Sequence, residues 1–375
     1  MKEFIRKILV EELPQLSDIE IDSFFDRSPL LKYLDLKTGA IFGNAKTRRS
    51  LANIYAIYSI LHFYEADYYN KSDEYKEFEG YEYTKLFVFY RGLYGGEKLQ
   101  NHALNSRVNG EFTNKISSEY DNDLIIINGS KYALHINFLY VNGVDISKIA
   151  NRVIEKYINL LTMKDNKLIS DIEDLLLIES TENKKSKISD MLDELSEARI
   201  FEIISFAILK NYYKNIKVYF GYSLDELQEQ YLQLYKTGRT NANDGGIDFV
   251  MKPIGRFFQV TEVNNYDKYL LDIDKVMRFP ITFVIKTLQE KVDIQKAFDE
   301  YIEIKSGGMR IIKERYINAI EEIITINELK IWLYQLNDDT VNELLRDINK
   351  YYRLELNLPF EQVLLGDDTD LPDTH

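Results

Sequence analysis

The most constraining stretch of the chain is Ile200–Leu209, IFEIISFAIL, in which only Glu202 and Ser205 are polar. At helical spacing such a run is apolar almost all the way round, and a helix of that kind has to be buried. Glu202 then needs an explanation, because a carboxylate in an apolar shell is costly unless it meets a cation or a hydrogen-bond donor. One reading gives Glu202 to a polar site. The other lays it on a narrow solvent stripe beside Arg199, as an exposed ion pair.

At 375 residues the chain is long enough for two domains of ~150 residues or one large domain with an extension. Its 28 Tyr and 20 Phe supply ample core material. With no Cys at all, disulfides, thiolate zinc sites, iron–sulfur clusters and cysteine nucleophiles are excluded together. Only 4 His occur, one of them the terminal His375, so a bound divalent cation is expected to sit on oxygen ligands, as Mg²⁺ does. The net charge of −14 argues against coating nucleic acid through bulk positive charge. It does not argue against an acidic metal site with basic residues gathered on one face. The opening MKEFIRKILVEELPQ mixes charges into its apolar positions, and no apolar run nears the ~20 residues needed to cross a bilayer. A soluble, cytoplasmic chain with no membrane partner is the expectation.

The clearest shift in composition is Ser180–Asp190, STENKKSKISD, read as a surface linker between residues 1–185 and 186–375. The first region reads as mainly helical, with helices over 45–64 and 146–161. Between them Asn128-Gly129 joins strands at 124–127 and 132–141 in a hairpin. In the second region the patterning predicts one helix over 189–213, a strand over 216–220 and a helix over 224–235. A hairpin of 247–251 with 256–263 comes next, then a helix over 267–277 and a strand over 281–285. Helices over 311–324 and 328–351 close the chain. The fold class is therefore α+β or α/β: helix, three strands, helix, strand, with a helix inserted after the first strand.

Two places in this core put polar groups where packing alone would not. Asp248 follows Gly245-Gly246 and enters an otherwise apolar strand, with Ile247, Phe249 and Met251 on one face and Asp248 and Val250 on the other. Glycines there let a phosphate or metal approach the backbone; the competing reading has Asp248 capping the sheet end. On the partner strand FFQVTEV, Gln259 and Thr261 share a face with Phe257 and Val263, and a polar pair in a central strand is either a site or an internal hydrogen bond.

Taken together, Glu202 on a helix, Asp248 in GGID and Gln259 in FFQVT resemble the PD-(D/E)xK nuclease superfamily, and within it the type II restriction endonucleases. The resemblance spans about 190–286. It implies a restriction-endonuclease-like core in 186–375 and a Mg²⁺-dependent, site-specific endonuclease acting on double-stranded DNA. By this resemblance Asp248, Glu202 and the amide oxygen of Gln259 ligate the metal, with the Val260 carbonyl completing the shell. Thr261 stands where the family has its lysine. Lys268 and Lys275 on the following helix, or Lys252, are candidates for the missing cation, and a bulge could instead turn Glu262 into the site. A chain that binds DNA without cutting it is the alternative; a helical scaffold is a third reading. A homodimer and a cognate DNA methyltransferase are the partners the resemblance implies.

For DNA contacts the candidates are Arg239, Asn241 and Asn243 in TGRTNAN, whose side chains suit guanine and adenine edges, and Lys46, Arg48 and Arg49 at a helix start, which suit a phosphate. Solvated loops and basic helix turns carry the same residues.

Overall fold

The structure, a computed structural model, describes residues 1–39, 47–97, 106–116, 122–237, 247–262 and 266–356, without the side chains of 47–49 and 106. It is a mixed α and β chain in two units, Met1–Lys167 and Leu168–His375.

The first unit holds helices α1 (Glu3–Glu12), α2 (Asp18–Asp26), α3 (Pro29–Lys37), α4 (Thr47–Tyr68), α5 (Ser72–Lys76), α6 (Tyr83–Arg91), α7 (Ser106–Lys115) and α8 (Ile136–Leu139). Helix α9 (Ser147–Leu177) carries the chain across the unit boundary. Local signals explain the starts: Ser17 and Glu20 form a capping box, and the Ser28 hydroxyl accepts the Leu31 N–H ahead of Pro29. Strands β1 (Tyr81–Glu82), β2 (Ile125–Asn128) and β3 (Lys131–Leu134) form a sheet in the order β1-β3-β2, and β4 (Tyr140–Val141) pairs with β5 (Val144–Asp145). The Asn128-Gly129 hairpin is present, with Gly129 at φ +62° as a tight turn requires. Its second strand stops at Leu134 rather than running to Val141, because His135 Nδ1 accepts the Asn137 N–H and starts the turn of α8.

In the second unit the expected linker is a helix, α10 (Thr181–Met191). Ser180 caps it, Ile188 is buried, and the amines of Lys184 and Lys185 reach Asn342 Oδ1 (2.6 Å) and the Tyr334 carbonyl (3.1 Å). A polar string thus becomes packed structure, because its long side chains bury their stems and satisfy their heads. The helix expected over 189–213 is two. Asp193 accepts the Leu195 N–H (2.7 Å) and the Ser196 hydroxyl bonds the Asp193 carbonyl (2.6 Å), a local alternative to helical bonding that breaks the chain before α11 (Ala198–Tyr213).

The next segment departs furthest from its periodicity. Strand β6 (Lys217–Phe220) pairs not with the main sheet but with β7 (Gln228–Tyr231), across a short 3₁₀ turn at Leu224–Glu226. Strand β8 (Gln233–Lys236) then enters the main sheet. No α-helix forms over 224–235: Leu224, Leu227 and Tyr231 have helical spacing but are exposed, whereas Leu232 and Leu234 are buried at strand spacing.

The main sheet has five strands in the order β12-β11-β10-β9-β8. The hairpin of β9 (Phe249–Lys252) with β10 (Arg256–Thr261) is as expected, and β8 pairs antiparallel with β9. After α12 (Tyr266–Lys275), the fully buried β11 (Ile281–Ile285) lies parallel to β10. Helices α13 (Lys291–Lys305) and α14 (Arg310–Asn318) lead to β12 (Ile320–Ile324), parallel to β11, where a helix is expected through 324. The β-branched Ile320, Ile323 and Ile324 favour the strand beside buried β11. The last expected helix is divided into α15 (Ile326–Gln335) and α16 (Asp338–Leu356), since Asn337 Oδ1 accepts the Thr340 N–H (2.9 Å) and restarts it.

Helix α11 covers one face of this sheet, with Phe206 against Phe249 at 5.0 Å between rings. The other face is closed by α12 and α13, through Tyr269 against Phe283 (5.1 Å) and Phe298 (4.7 Å). Among the described residues no helix is long and apolar enough to cross a membrane.

Candidate functional site

Antiparallel and parallel pairing together bring four chain segments to one end of the main sheet: the ends of β8, β10 and β11, and the start of β9. Asp248 immediately precedes β9. Its N–H donates to the Phe258 carbonyl (2.9 Å), and its Oδ2 accepts the Val260 N–H (2.7 Å). The two bonds of Asp248 therefore go to Phe258 and Val260, the residues on either side of Gln259. The carboxylate thus takes over a ladder bond where the two strands begin to part, which is the cap that the competing reading describes.

Gln259 is only 8% exposed, and its Oε1 has no hydrogen-bond partner among the described residues. Its Nε2 makes a long bond of 3.3 Å to the Val260 carbonyl. A buried amide oxygen left unsatisfied costs on the order of 1–3 kcal/mol. Two residues on, buried Thr261 accepts from Lys268 Nζ at 3.4 Å, so the first turn of α12 brings an ammonium to the hydroxyl at that position. Lys275 is not brought there: it pairs with Asp272 (2.8 Å) in the last turn, about 10 Å of helix rise beyond Lys268. Nor is Lys252, at the far end of β9, where its amine lies over the Tyr235 ring. Residues 257–261 pair with β11 in unbroken register, so no bulge turns Glu262 inward; its carboxylate instead meets Lys286 (2.7 Å).

Glu202 is not on an exposed stripe with Arg199, which pairs with Glu197 (3.2 Å). Its Oε1 lies 2.7 Å from Lys236 Nζ, both side chains being 15% exposed. Lys236 sits across from Phe249, whose ring faces α11, so this ion pair occupies the α11 side of the sheet end. Gln259 sits across from Phe283, on the α12 side. Glu202 and Gln259 therefore approach the sheet end from opposite faces, and Glu202 is engaged by Lys236. Thr237, next to that lysine, donates its N–H to the Asp248 carbonyl (3.0 Å).

Sequence reasoning missed two lysines here. Lys236 shares strand parity with buried Leu232 and Leu234, a signal hidden by the helical reading of 224–235. Lys286 follows the buried strand β11, and its Nζ bonds both Glu262 and the Ser196 carbonyl (2.8 Å). Nearby, the N–H of Leu288 and the hydroxyl of Thr287 donate to Glu194 (2.8 Å each) and hold its carboxyl below the usual glutamate range. Burial pushes the Tyr269 phenol, whose oxygen lies 3.3 Å from the Glu262 carbonyl, well above its ordinary value.

As donors, the Asp248 carboxylate, the Gln259 amide oxygen and the Val260 carbonyl are of the type a hard cation takes. The orphaned Gln259 Oε1 is the atom such an ion would satisfy. No group of three His, Asp or Glu converges as a metal cluster among the described residues. Of the candidates for DNA contact, Lys46, Arg239, Asn241 and Asn243 lie outside the described residues, and Arg48 and Arg49 belong to the first turn of α4 with undescribed side chains. Comparison with family models, curated proteins and solved structures found no match.

Proposed function

We propose that this chain is a Mg²⁺-dependent nuclease of the restriction type, acting on double-stranded DNA as a two-fold homodimer, with its chemistry at the sheet end around Asp248. The observation that carries the reading is Gln259 Oε1, buried and without a hydrogen-bond partner among the described residues, on the strand whose neighbouring residues Phe258 and Val260 both bond Asp248. A packed protein tolerates such an orphan poorly unless something else satisfies it. The element order also supports the reading, with a helix, three antiparallel strands, a helix and a parallel strand placing the acid at the start of the second strand.

In this proposal Asp248, Gln259 and the Val260 carbonyl hold the ion. When bound, Mg²⁺ supplies Lewis-acid polarisation of a phosphate oxygen and a bound water of lowered pKa. The chain's own residues do the rest. The Val260 N–H fixes the rotamer of Asp248. Lys268, reaching over Thr261 at 3.4 Å, supplies positive charge toward a scissile phosphate at the position where the resembled family has lysine. Lys236 holds Glu202 in place on the opposite side of the sheet end.

The engagement of Glu202 by Lys236 and the presence of Thr261 favour one second reading, a DNA-binding or regulatory protein without catalysis. Incubation of plasmid DNA with Mg²⁺ and either wild type or Asp248→Asn separates the two. Metal-dependent linearisation by wild type alone supports the nuclease. Specific duplex binding with no cleavage under any divalent ion supports the alternative.

A further inference from the structure

From a different surface we infer that the β6–β7 ribbon is a self-association site whose occupant is a second copy of this chain; the inference does not rest on the nuclease reading. Among the described residues the ribbon pairs only within itself, apart from the main sheet. Its outward face carries Lys217 and Tyr219 on β6 against Tyr231 and Glu229 on β7. At its tip stand Tyr222 and Leu224. Tyr219 is 71% exposed, Tyr222 94%, Leu224 88% and Tyr231 49%.

These side chains are presented on a closely packed frame. An added Cβ at Gly221 would come within 2.5 Å of the Glu226 carbonyl, and the Glu226 N–H donates back to Ser223 (3.1 Å), so the turn is folded tightly on itself. At 150–250 Å² per aromatic residue, the three tyrosines leave roughly 300–500 Å² of ring surface in reach of a partner. A stable interface buries about 800 Å² per partner, so the rings alone supply about half of it.

Charge selects the occupant. On the outward face Lys217 and Glu229 pair with each other (2.6 Å), giving a neutral surface that offers nothing to a phosphate backbone. Two copies stacked face to face about a two-fold axis along the strands set Lys217 over the partner's Tyr231 and Tyr219 over the partner's Glu229. An axis across the strands sets each charge over the partner's neighbouring tyrosine. Neither arrangement puts a charge on its own like, so the face is complementary to itself, as an isologous contact needs. Tyrosine-rich, low-entropy surfaces of this kind are what protein interfaces favour.

Sedimentation velocity of the full chain from about 1 to 100 μM tests this, with the monomer mass at 44.2 kDa. Wild type is expected to show a concentration-dependent dimer. The double variant Tyr219→Lys/Tyr231→Lys, at two exposed positions, is expected to raise the dissociation constant at least about thirtyfold, as loss of an interface hot spot does. Matching circular dichroism spectra and melting temperatures keep folding out of the comparison. A wild type that stays monomeric throughout, or a variant that dimerises as wild type does, overturns the inference. A monomeric wild type would also remove the two-fold dimer from the nuclease reading, whereas a variant that dimerises as wild type does overturns this surface alone; the chemistry at Asp248 is read separately by plasmid cleavage.

Discussion

Asp248 caps the strand pair and, under the proposed function, also holds the ion, and substitution can pull the two apart. As a cap, its Oδ2 accepts the Val260 N–H at 2.7 Å, a bond that the strand ladder would otherwise have to supply. A hydrogen bond to an ionised acceptor contributes about 1.5–3 kcal/mol, so Asp248→Ala should weaken the hairpin by that amount. Asp248→Asn keeps an oxygen in the same place and should cost under about 1 kcal/mol, because only the charge is lost. The direct assay is native-state hydrogen exchange at the Val260 amide. With a factor of ten per 1.4 kcal/mol, the alanine variant should exchange about 10- to 150-fold faster than wild type and the asparagine variant less than about fivefold faster. Both variants should lose Mg²⁺-dependent cleavage. An alanine variant with wild-type protection at Val260 would refute the cap, and an asparagine variant that cleaves at the wild-type rate would refute the role of the charge.

Phe249 is fully buried against Phe206, so Phe249→Ala should cost about 3–5 kcal/mol in urea denaturation followed through the second unit. Lys236→Met strips Glu202 of its partner in a largely buried setting and should destabilise by about 2 kcal/mol; adding Glu202→Gln should recover part of that loss, which a double-mutant cycle measures. Glu194 is held below its ordinary pKa by the Leu288 N–H and then the Thr287 hydroxyl. A depressed carboxyl stabilises the fold above the unfolded-state value of about 4.3, and that contribution is lost as pH falls through the lower folded-state value. The Leu288 amide should therefore lose exchange protection on acidification through that window, and Glu194→Gln should flatten the profile.

What could be read from the residues alone was governed by how local the deciding interactions are. The β9–β10 hairpin and β11 were legible because their turn residues and apolar runs agree with their final burial. The 224–235 segment was not, since Leu224, Leu227 and Tyr231 mimic a helix face while strand pairing with β6 and β9 decides the outcome, with Leu232 and Leu234 buried. Likewise β12 becomes a strand because β11 offers it a buried ladder, a fact no local window contains. At the candidate site, Asp248 and Gln259 stood out as polar residues in apolar strands, and the bonds of Asp248 to Phe258 and Val260 set it beside the strand that carries Gln259. The partner of Glu202 stayed hidden, because Lys236 is remote in sequence and its parity was masked by the wrong period. The polar stretch 180–190 looked like a surface linker by composition, yet long lysine stems pack well when their amines find acceptors.

Titration of the full chain with Mn²⁺ in place of Mg²⁺, followed by electron paramagnetic resonance, tests most directly whether the sheet end around Asp248 and Gln259 holds a hard cation. Wild type should bind the ion with a saturable stoichiometry. Asp248→Asn should abolish that binding, and Gln259→Leu should weaken it while leaving the ion-free protein as stable as wild type or more so, because the orphaned oxygen is gone. Superimposable titrations of the three proteins would contradict the assignment.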